Sequence, residues 1–169
     1  MHPPMPFIVG APRSGTTLLR FMLDSHPDIA IPPETGFLTR PRLEPNAGPL
    51  DFVQHLESFD TWPDFHLDRK ELLAKVSHAA TFEIADAYRA FYCAYAARFS
   101  KFRYGDKTPI YVFHMRAIHE LLPEAAFIHL IRDGRDVALS LEKQWFSPGK
   151  GVAAQAKLWA DFVGAGEAA

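Results

Sequence analysis

The chain is short of the residues that several protein classes need, and each shortage removes a class. Cys93 is the single cysteine, which rules out an internal disulfide framework and a cysteine-rich zinc site. No apolar run approaches the roughly 20 residues that span a bilayer. The start, Met1-His2-Pro3-Pro4-Met5-Pro6, lacks the basic and apolar regions of a signal peptide. There is no basic surplus either: 18 Lys and Arg against 20 Asp and Glu leave a formal net charge of −2. No general positive field therefore exists to gather nucleic acid or an anionic membrane. Repeats and low-complexity segments are missing, and 48% hydrophobic against 22% charged residues is a globular balance rather than a disordered one. A length of 169 residues fits one domain with a real core. The expectation is one cytoplasmic domain over residues 1–169, with neither nucleic acid nor membrane as partner.

What the chain does have is an alternation of strand and helix signals. Residues 6–10, PFIVG, form an apolar run closed by glycine, the mark of a buried strand. Apolar residues then recur at helical spacing from Thr16 until Ser25-His26-Pro27 stops the helix, with His26 expected to cap it. Residues 29–31 suggest a short strand, and the proline-rich stretch 39–64 an irregular connection. Helices are expected over 68–79 and 81–100. In the second of these Phe82, Ala85, Tyr88, Tyr92, Tyr95 and Phe99 run down one face, a stripe that reads as core packing. Cys93 lies in the same helix and is expected to be buried. A further helix follows Pro109 and is broken by Pro123. Residues 126–131, AFIHLI, are the clearest strand, with His129 expected as a satisfied core residue; helices over 136–145 and 152–163 follow. Strand and helix in alternation predict an α/β fold: a parallel sheet flanked by helices on both faces, a three-layer α/β/α arrangement. In such sheets ligands bind beyond the carboxyl ends of the strands.

Both polar motifs of note fall at such ends. The first, Gly10-Ala11-Pro12-Arg13-Ser14-Gly15-Thr16-Thr17, has the frame of a phosphate-binding P-loop. Its chemistry is that of the backbone: successive N–H groups and a helix dipole converge on one anion. Gly15 permits close approach, and Ser14, Thr16 and Thr17 add hydroxyls. A nucleotide hydrolase would place lysine where Thr16 stands, to reach the β- and γ-phosphates. Here the cation is Arg13, within the loop, whose guanidinium can fork across an oxyanion. The second motif is Arg132-Asp133-Gly134-Arg135-Asp136 with Ser140 eight residues beyond Arg132. Taken alone it reads as a self-neutralising surface cluster; beside the first loop it reads as an anion site. Asp133 could be a Walker-type carboxylate, a reading that the missing loop lysine weakens. No His, Cys or carboxylate grouping has metal-ligand spacing, so no metal is expected.

PRSGTTLLRFMLDSHPDI, the later Glu34-Thr35, Gly105-Asp106-Lys107-Thr108-Pro109 and LIRDGRDVALSL together resemble the sulfotransferases that use 3'-phosphoadenosine 5'-phosphosulfate (PAPS). The resemblance is greatest to the tyrosylprotein sulfotransferases and their bacterial relatives. It implies that Arg13, Ser14, Gly15, Thr16, Thr17 and Leu18 bind the 5'-phosphosulfate and that Arg132 and Ser140 grip the 3'-phosphate. It implies Glu34 as the base, Lys107 on the bridging oxygen of the leaving phosphate, and Arg13 in a second role beside the transferring group. PAPS would be co-substrate and PAP the product, with no metal required. Without the resemblance, Glu34 reads as a surface loop residue and Lys107 as a partner of Asp106.

The acceptor side is not named by the residues: a small molecule, sugar or peptide offering a hydroxyl, phenol or amine all fit. Phe59, Trp62 and Phe65 could stack on such a group but are expected to fold onto the core. Members of the family continue beyond Ala169, so the resemblance also implies a fold incomplete at its C-terminus, with an uncovered sheet edge and self-association. Two other functions stay open: a remnant that binds PAP or PAPS without catalysis, and a P-loop kinase or NTPase.

Overall fold

The computed structural model describes residues 2–40, 43–44, 46–78, 81–149 and 151–169. Its sheet is organised by β1 (Met5–Val9), flanked by β4 (Asp106–Lys107) on one side and β5 (Ala125–His129) on the other, both parallel to it. A smaller parallel pair joins β2 (Ile29–Ala30) to β3 (Arg103–Tyr104). Strand alternation sends successive β1 side chains to opposite faces. Phe7 and Val9 enter the main core, and Ile8 joins Ile29 and Ile31 under Leu19 and Leu23 of α1 (Thr16–Asp24). Both faces of β1 are thus covered, as expected for a parallel sheet.

The main core is aromatic. The helix α4 (Ile84–Ala97) buries Tyr88, Phe91, Tyr92 and Tyr95, and Phe37, Phe65 and Phe91 meet edge to face at 5.1–5.4 Å. This geometry suits ring quadrupoles. Phe65 is buried, while Phe59 and Trp62 pack partly buried against the same core.

Several expectations need correction. Residues 39–64 are not an irregular connection: α2 (Pro49–Glu57) and a 3₁₀ turn (Trp62–Phe65) lie within them, although residues 41, 42 and 45 fall outside the described set. Gly48 and Pro49 open α2, with Asp51 Oδ2 accepting the Gly48 N–H at 2.7 Å, and Phe52, Val53 and Leu56 form its buried stripe. The helix expected over 68–79 is α3 (Arg69–Val76); residues 79 and 80 lie outside the described set. The segment after Thr108 begins as a 3₁₀ helix (Pro109–His114) and becomes α5 (Met115–Leu121). His26 caps no helix; its Nδ1 accepts from the Asp28 N–H. Cys93 is exposed, because it sits on the face of α4 opposite the tyrosines.

Among the described residues β5 pairs with β1 alone. Phe127 faces the core and packs on Phe7 at 5.5 Å, whereas Ala126 and Ile128 are exposed. His129 is only partly buried and its Nε2 has no partner among the described residues. Beyond β5, α6 (Gly134–Leu141) packs against α7 (Val152–Glu167). Trp159 of α7 donates its indole N–H to the Arg132 carbonyl at 2.9 Å. No helix among the described residues is long and apolar enough to cross a membrane.

Candidate active site

The carboxyl ends of β4, β1 and β5 lie side by side, and the chain leaves each of them into one of the motifs. After β1 the backbone reverses through Gly10, at φ 142°, where an added Cβ would fall on the Leu130 carbonyl oxygen. This close approach of two strand ends requires glycine. Arg13 (φ 69°) and Gly15 (φ 97°) then take left-handed conformations that carry the chain into α1. The first intrahelical bond of α1 runs from the Leu19 N–H to the Gly15 carbonyl, so the N–H groups of Thr16, Thr17 and Leu18 have no helical acceptor. Ser14 is 6% exposed, yet its hydroxyl has no partner among the described residues. An unpaired buried hydroxyl beside free N–H groups and a positive helix end fits an anion. Leu18 is 66% exposed, and its backbone N–H is what it presents to the same place.

Arg13 reaches across to the second motif. Its Nε donates to Ser140 Oγ at 2.9 Å, and Arg132 Nη1 donates to the Arg13 carbonyl at 3.3 Å. Two guanidinium groups and a hydroxyl, 127 residues apart in the chain, therefore share one exposed surface. The acidic members of the cluster have local duties. Asp133 caps α6 by accepting the Arg135 N–H and pairs with the Arg135 side chain, which holds its carboxyl low, at about 2. Asp136 pairs with Arg132 at 3.3 Å. The charges of the cluster thus neutralise one another locally, while Arg132 and Ser140 both bond Arg13 of the loop.

Lys107 is not paired with Asp106. In β4 the two residues point to opposite faces, Asp106 in register with Phe7 and Lys107 with Ile8. Lys107 therefore emerges on the α1 side, 4% exposed, and its Nζ stands 2.5 Å from Glu34 Oε1 and 3.4 Å from Thr17 Oγ1. The Glu34 side chain is half exposed. It borders a cavity of about 480 Å³ whose polar end is Arg13, Thr16, Thr17 and Glu34, and whose apolar wall includes Ile110, Trp145, Phe146 and Phe162. A separate cavity of about 390 Å³ between α3 and α4 contains none of the sequence-derived residues. Among the described residues no three His, Cys, Asp or Glu side chains converge to hold a metal ion.

One cluster escaped the sequence reading. Asp106 is fully buried, and its Oδ2 accepts from Thr35 Oγ1 at 2.8 Å and from the Tyr92 hydroxyl at 2.7 Å. Thr35 Oγ1 lies 2.6 Å from the Tyr111 hydroxyl, which accepts the Leu38 N–H at 2.9 Å. The Thr35 N–H donates to Thr108 Oγ1 at 3.0 Å. Burial outweighs these bonds and pushes the Asp106 carboxyl up to about 6. Burial, with the nearby Asp106 charge, also raises the Tyr92 and Tyr111 hydroxyls well above their usual range. The available signal was tyrosine, rather than phenylalanine, in a stripe that otherwise reads as core.

Similarity to known proteins gives the family of the chain. Residues 4–164 match the model of the sulfotransferase family. The chain is 32% identical over 151 residues to the nodulation protein NoeE of Sinorhizobium fredii, covering 84% of this chain and 32% of that one. It is 33% identical over 142 residues to a protein-tyrosine sulfotransferase of Drosophila melanogaster, covering 82% and 25%. The chain thus spans a third or less of the length of these curated relatives. Among solved structures, the sulfotransferase domain of the Synechococcus PCC 7002 olefin synthase superposes with a TM-score of 0.62 at 26% identity, over 97% of this chain and 60% of that one. The sulfotransferase domain from the curacin biosynthetic pathway, at 20% identity and a TM-score of 0.57, shares the fold. A match from residue 4 to residue 164, with relatives above 30% identity over more than four-fifths of the chain, shows that the chain belongs to the sulfotransferase family.

Proposed function

We propose that this chain carries the donor site and catalytic groups of a PAPS-dependent sulfotransferase acting on a hydroxyl, phenol or amine. The observation that carries the reading is Lys107 Nζ, held between the Glu34 carboxylate and the Thr17 hydroxyl at the mouth of the glycine loop. The free N–H groups of the loop, the unpaired Ser14 hydroxyl and Arg13 fit the 5'-phosphosulfate. Arg132 and Ser140 fit the 3'-phosphate.

PAPS supplies an activated sulfuryl group. Glu34 faces the cavity with one oxygen bound by Lys107 and takes the acceptor proton as the new oxygen–sulfur (or nitrogen–sulfur) bond forms. The bond from sulfur to the bridging phosphate oxygen breaks, and Lys107 and Arg13 neutralise the charge that collects on the departing phosphate of PAP. The sulfonate carries less charge than a terminal phosphate, so fixed side-chain cations suffice in this scheme. Thr16 at the position of a hydrolase's lysine argues against a kinase or NTPase.

On the acceptor side, Trp145, Phe146, Ile110 and Phe162 beside Glu34 favour an acceptor with an apolar or aromatic body, free or within a peptide, over a bare sugar. The exposed apolar side chains Leu18, Phe21, Met22 and Ile128 support self-association of the isolated chain.

The test is calorimetric titration of PAP in chelator, with Mg-ATP as comparison, paired with transfer from PAPS by the wild-type chain and by Glu34→Ala. The reading expects metal-independent PAP binding that ATP does not match, and transfer lost in Glu34→Ala with binding kept. Undiminished transfer by Glu34→Ala would overturn the base assignment. A second reading is a PAP or PAPS holder without catalysis. It predicts PAP binding with no transfer in either protein.

A further inference from the structure

The reacting residues Glu34 and Lys107 are each followed by a threonine that faces the other side of the backbone. Thr35 and Thr108 turn into the core, where both meet Asp106: Thr35 through its hydroxyl, and Thr108 by accepting the Thr35 N–H while lying beside the carboxylate. The same two chain segments, 73 residues apart, are thus joined twice. On the solvent side the join is Glu34 to Lys107; on the core side it is Thr35 to Asp106 and Thr108.

The core-side join has a direction. The Leu38 N–H donates to Tyr111, Tyr111 donates to Thr35, and Thr35 donates to Asp106 Oδ2, which also accepts from Tyr92. Each hydroxyl has a single assignment consistent with its neighbours. No part of this chain touches the cavity that Glu34 borders. Fold stability alone is a poor reason for it, since a buried carboxylate with one oxygen, Oδ1, left unpaired among the described residues is a costly way to fill a core.

We propose that Asp106 is a positioning residue, which through Thr35 and Thr108 sets the spacing and direction of the Glu34 carboxylate and the Lys107 ammonium. The inference rests on the sulfuryl-transfer reading for its kinetic consequence, and on geometry alone for its structural one. Thr35→Val keeps the side-chain shape and removes the hydroxyl, Thr35→Ser restores the hydroxyl, and Tyr92→Phe removes one donor to Asp106 while keeping the ring.

Two measurements separate the outcomes. In the first, transfer from PAPS to 4-nitrophenol is normalised to active sites counted by PAP titration. Thr35→Val is expected to lower kcat by about 10- to 100-fold, the scale of a misplaced catalytic group, with the KM for PAPS changed by less than about 2-fold. Thr35→Ser is expected to recover most of the loss, and Tyr92→Phe to fall between. In the second, the rate of Lys107 modification by acetic anhydride is read by peptide mass spectrometry. Lys107 should be protected in the wild type and Thr35→Ser, and modified about tenfold faster in Thr35→Val, where its pairing opens locally.

The inference is overturned if Thr35→Val changes neither rate, or if Thr35→Ser is as impaired as Thr35→Val. It is also overturned if the loss of activity only follows the loss of PAP-binding sites. Should Thr35→Val fail to fold, Tyr92→Phe decides, and an unchanged kcat and unchanged Lys107 protection there refute it. A wild-type chain that neither binds PAP nor transfers would defeat the sulfotransferase reading, while the Lys107 protection pattern would still judge the positioning claim.

Discussion

Replacing Asp106 by Asn should change how stability depends on pH, by an amount that follows from its burial. The carboxyl moves from its ordinary 3.8 to about 6, so between these values the folded chain holds a proton that the unfolded chain has released. Stability therefore falls as pH rises through this window; the penalty is absent below 3.8 and complete above about 6. At 1.36 kcal/mol per tenfold change in proton affinity the penalty amounts to about 3 kcal/mol, of which about 2 kcal/mol develops between about pH 4.5 and 7.5. Asn carries no such term. The measurement is urea unfolding of both proteins at several pH values across that range, with the wild-type stability minus that of Asp106→Asn plotted against pH. Titrations common to both proteins cancel in the difference. A decline of about 2 kcal/mol towards neutral pH is expected, whatever the offset set by the new amide's hydrogen bonds. A difference that stays level within about 0.5 kcal/mol would refute the raised pKa of Asp106, and with it the net cost assigned to burying its charge.

Two further perturbations address other parts of the molecule. Arg132→Ala should weaken PAP binding by about 10- to 100-fold, the worth of one charge-assisted contact, while affecting AMP binding far less; calorimetry with both ligands checks this, and an equal loss for both would remove the 3'-phosphate assignment. Arg89→Ala should cost about 2 kcal/mol in urea unfolding at neutral pH, because it strips Glu124, whose side chain is 6% exposed, of bonds at 2.6 and 2.9 Å. Arg89 holds the Glu124 carboxyl below its ordinary 4.5, so the wild-type advantage should persist above pH 4.5 and fade as pH falls through the lowered value.

How much of this was legible in the sequence depended on whether a feature is made by neighbours along the chain. The glycine loop at residues 10–17 was legible because its residues are contiguous, and Gly10 and Gly15 mark two of the three places where its backbone takes a positive φ, Arg13 being the third. The motif from Arg132 to Ser140 was legible as a candidate for a related reason, since one strand end and two helical turns place both residues. Proline content misled at residues 39–64: Pro49 stands at the first position of α2, where its missing N–H costs nothing, and Gly48 with Asp51 is a start signal rather than a loop signal. The run AFIHLI identified a strand but not its place in the sheet. Apolar composition is shared by central and edge strands, so the run could not say that β5 would have one strand neighbour among the described residues or that Ile128 would be 37% exposed. The Asp106 cluster was out of reach altogether. Helical period places Tyr92 on the buried face of α4 and strand period sends Asp106 opposite to Lys107, yet neither period says that Asp106 will bond both Tyr92 and a threonine 71 residues away. The contrast has a chemical meaning. Groups that hold an anion through backbone geometry announce themselves in sequence, whereas groups that aim a base and an ammonium at each other do so through side chains drawn from four separate segments. In this chain the placing of Glu34 beside Lys107 is therefore what only the fold discloses, and under the positioning proposal the cost of burying Asp106 is the physical trace it leaves.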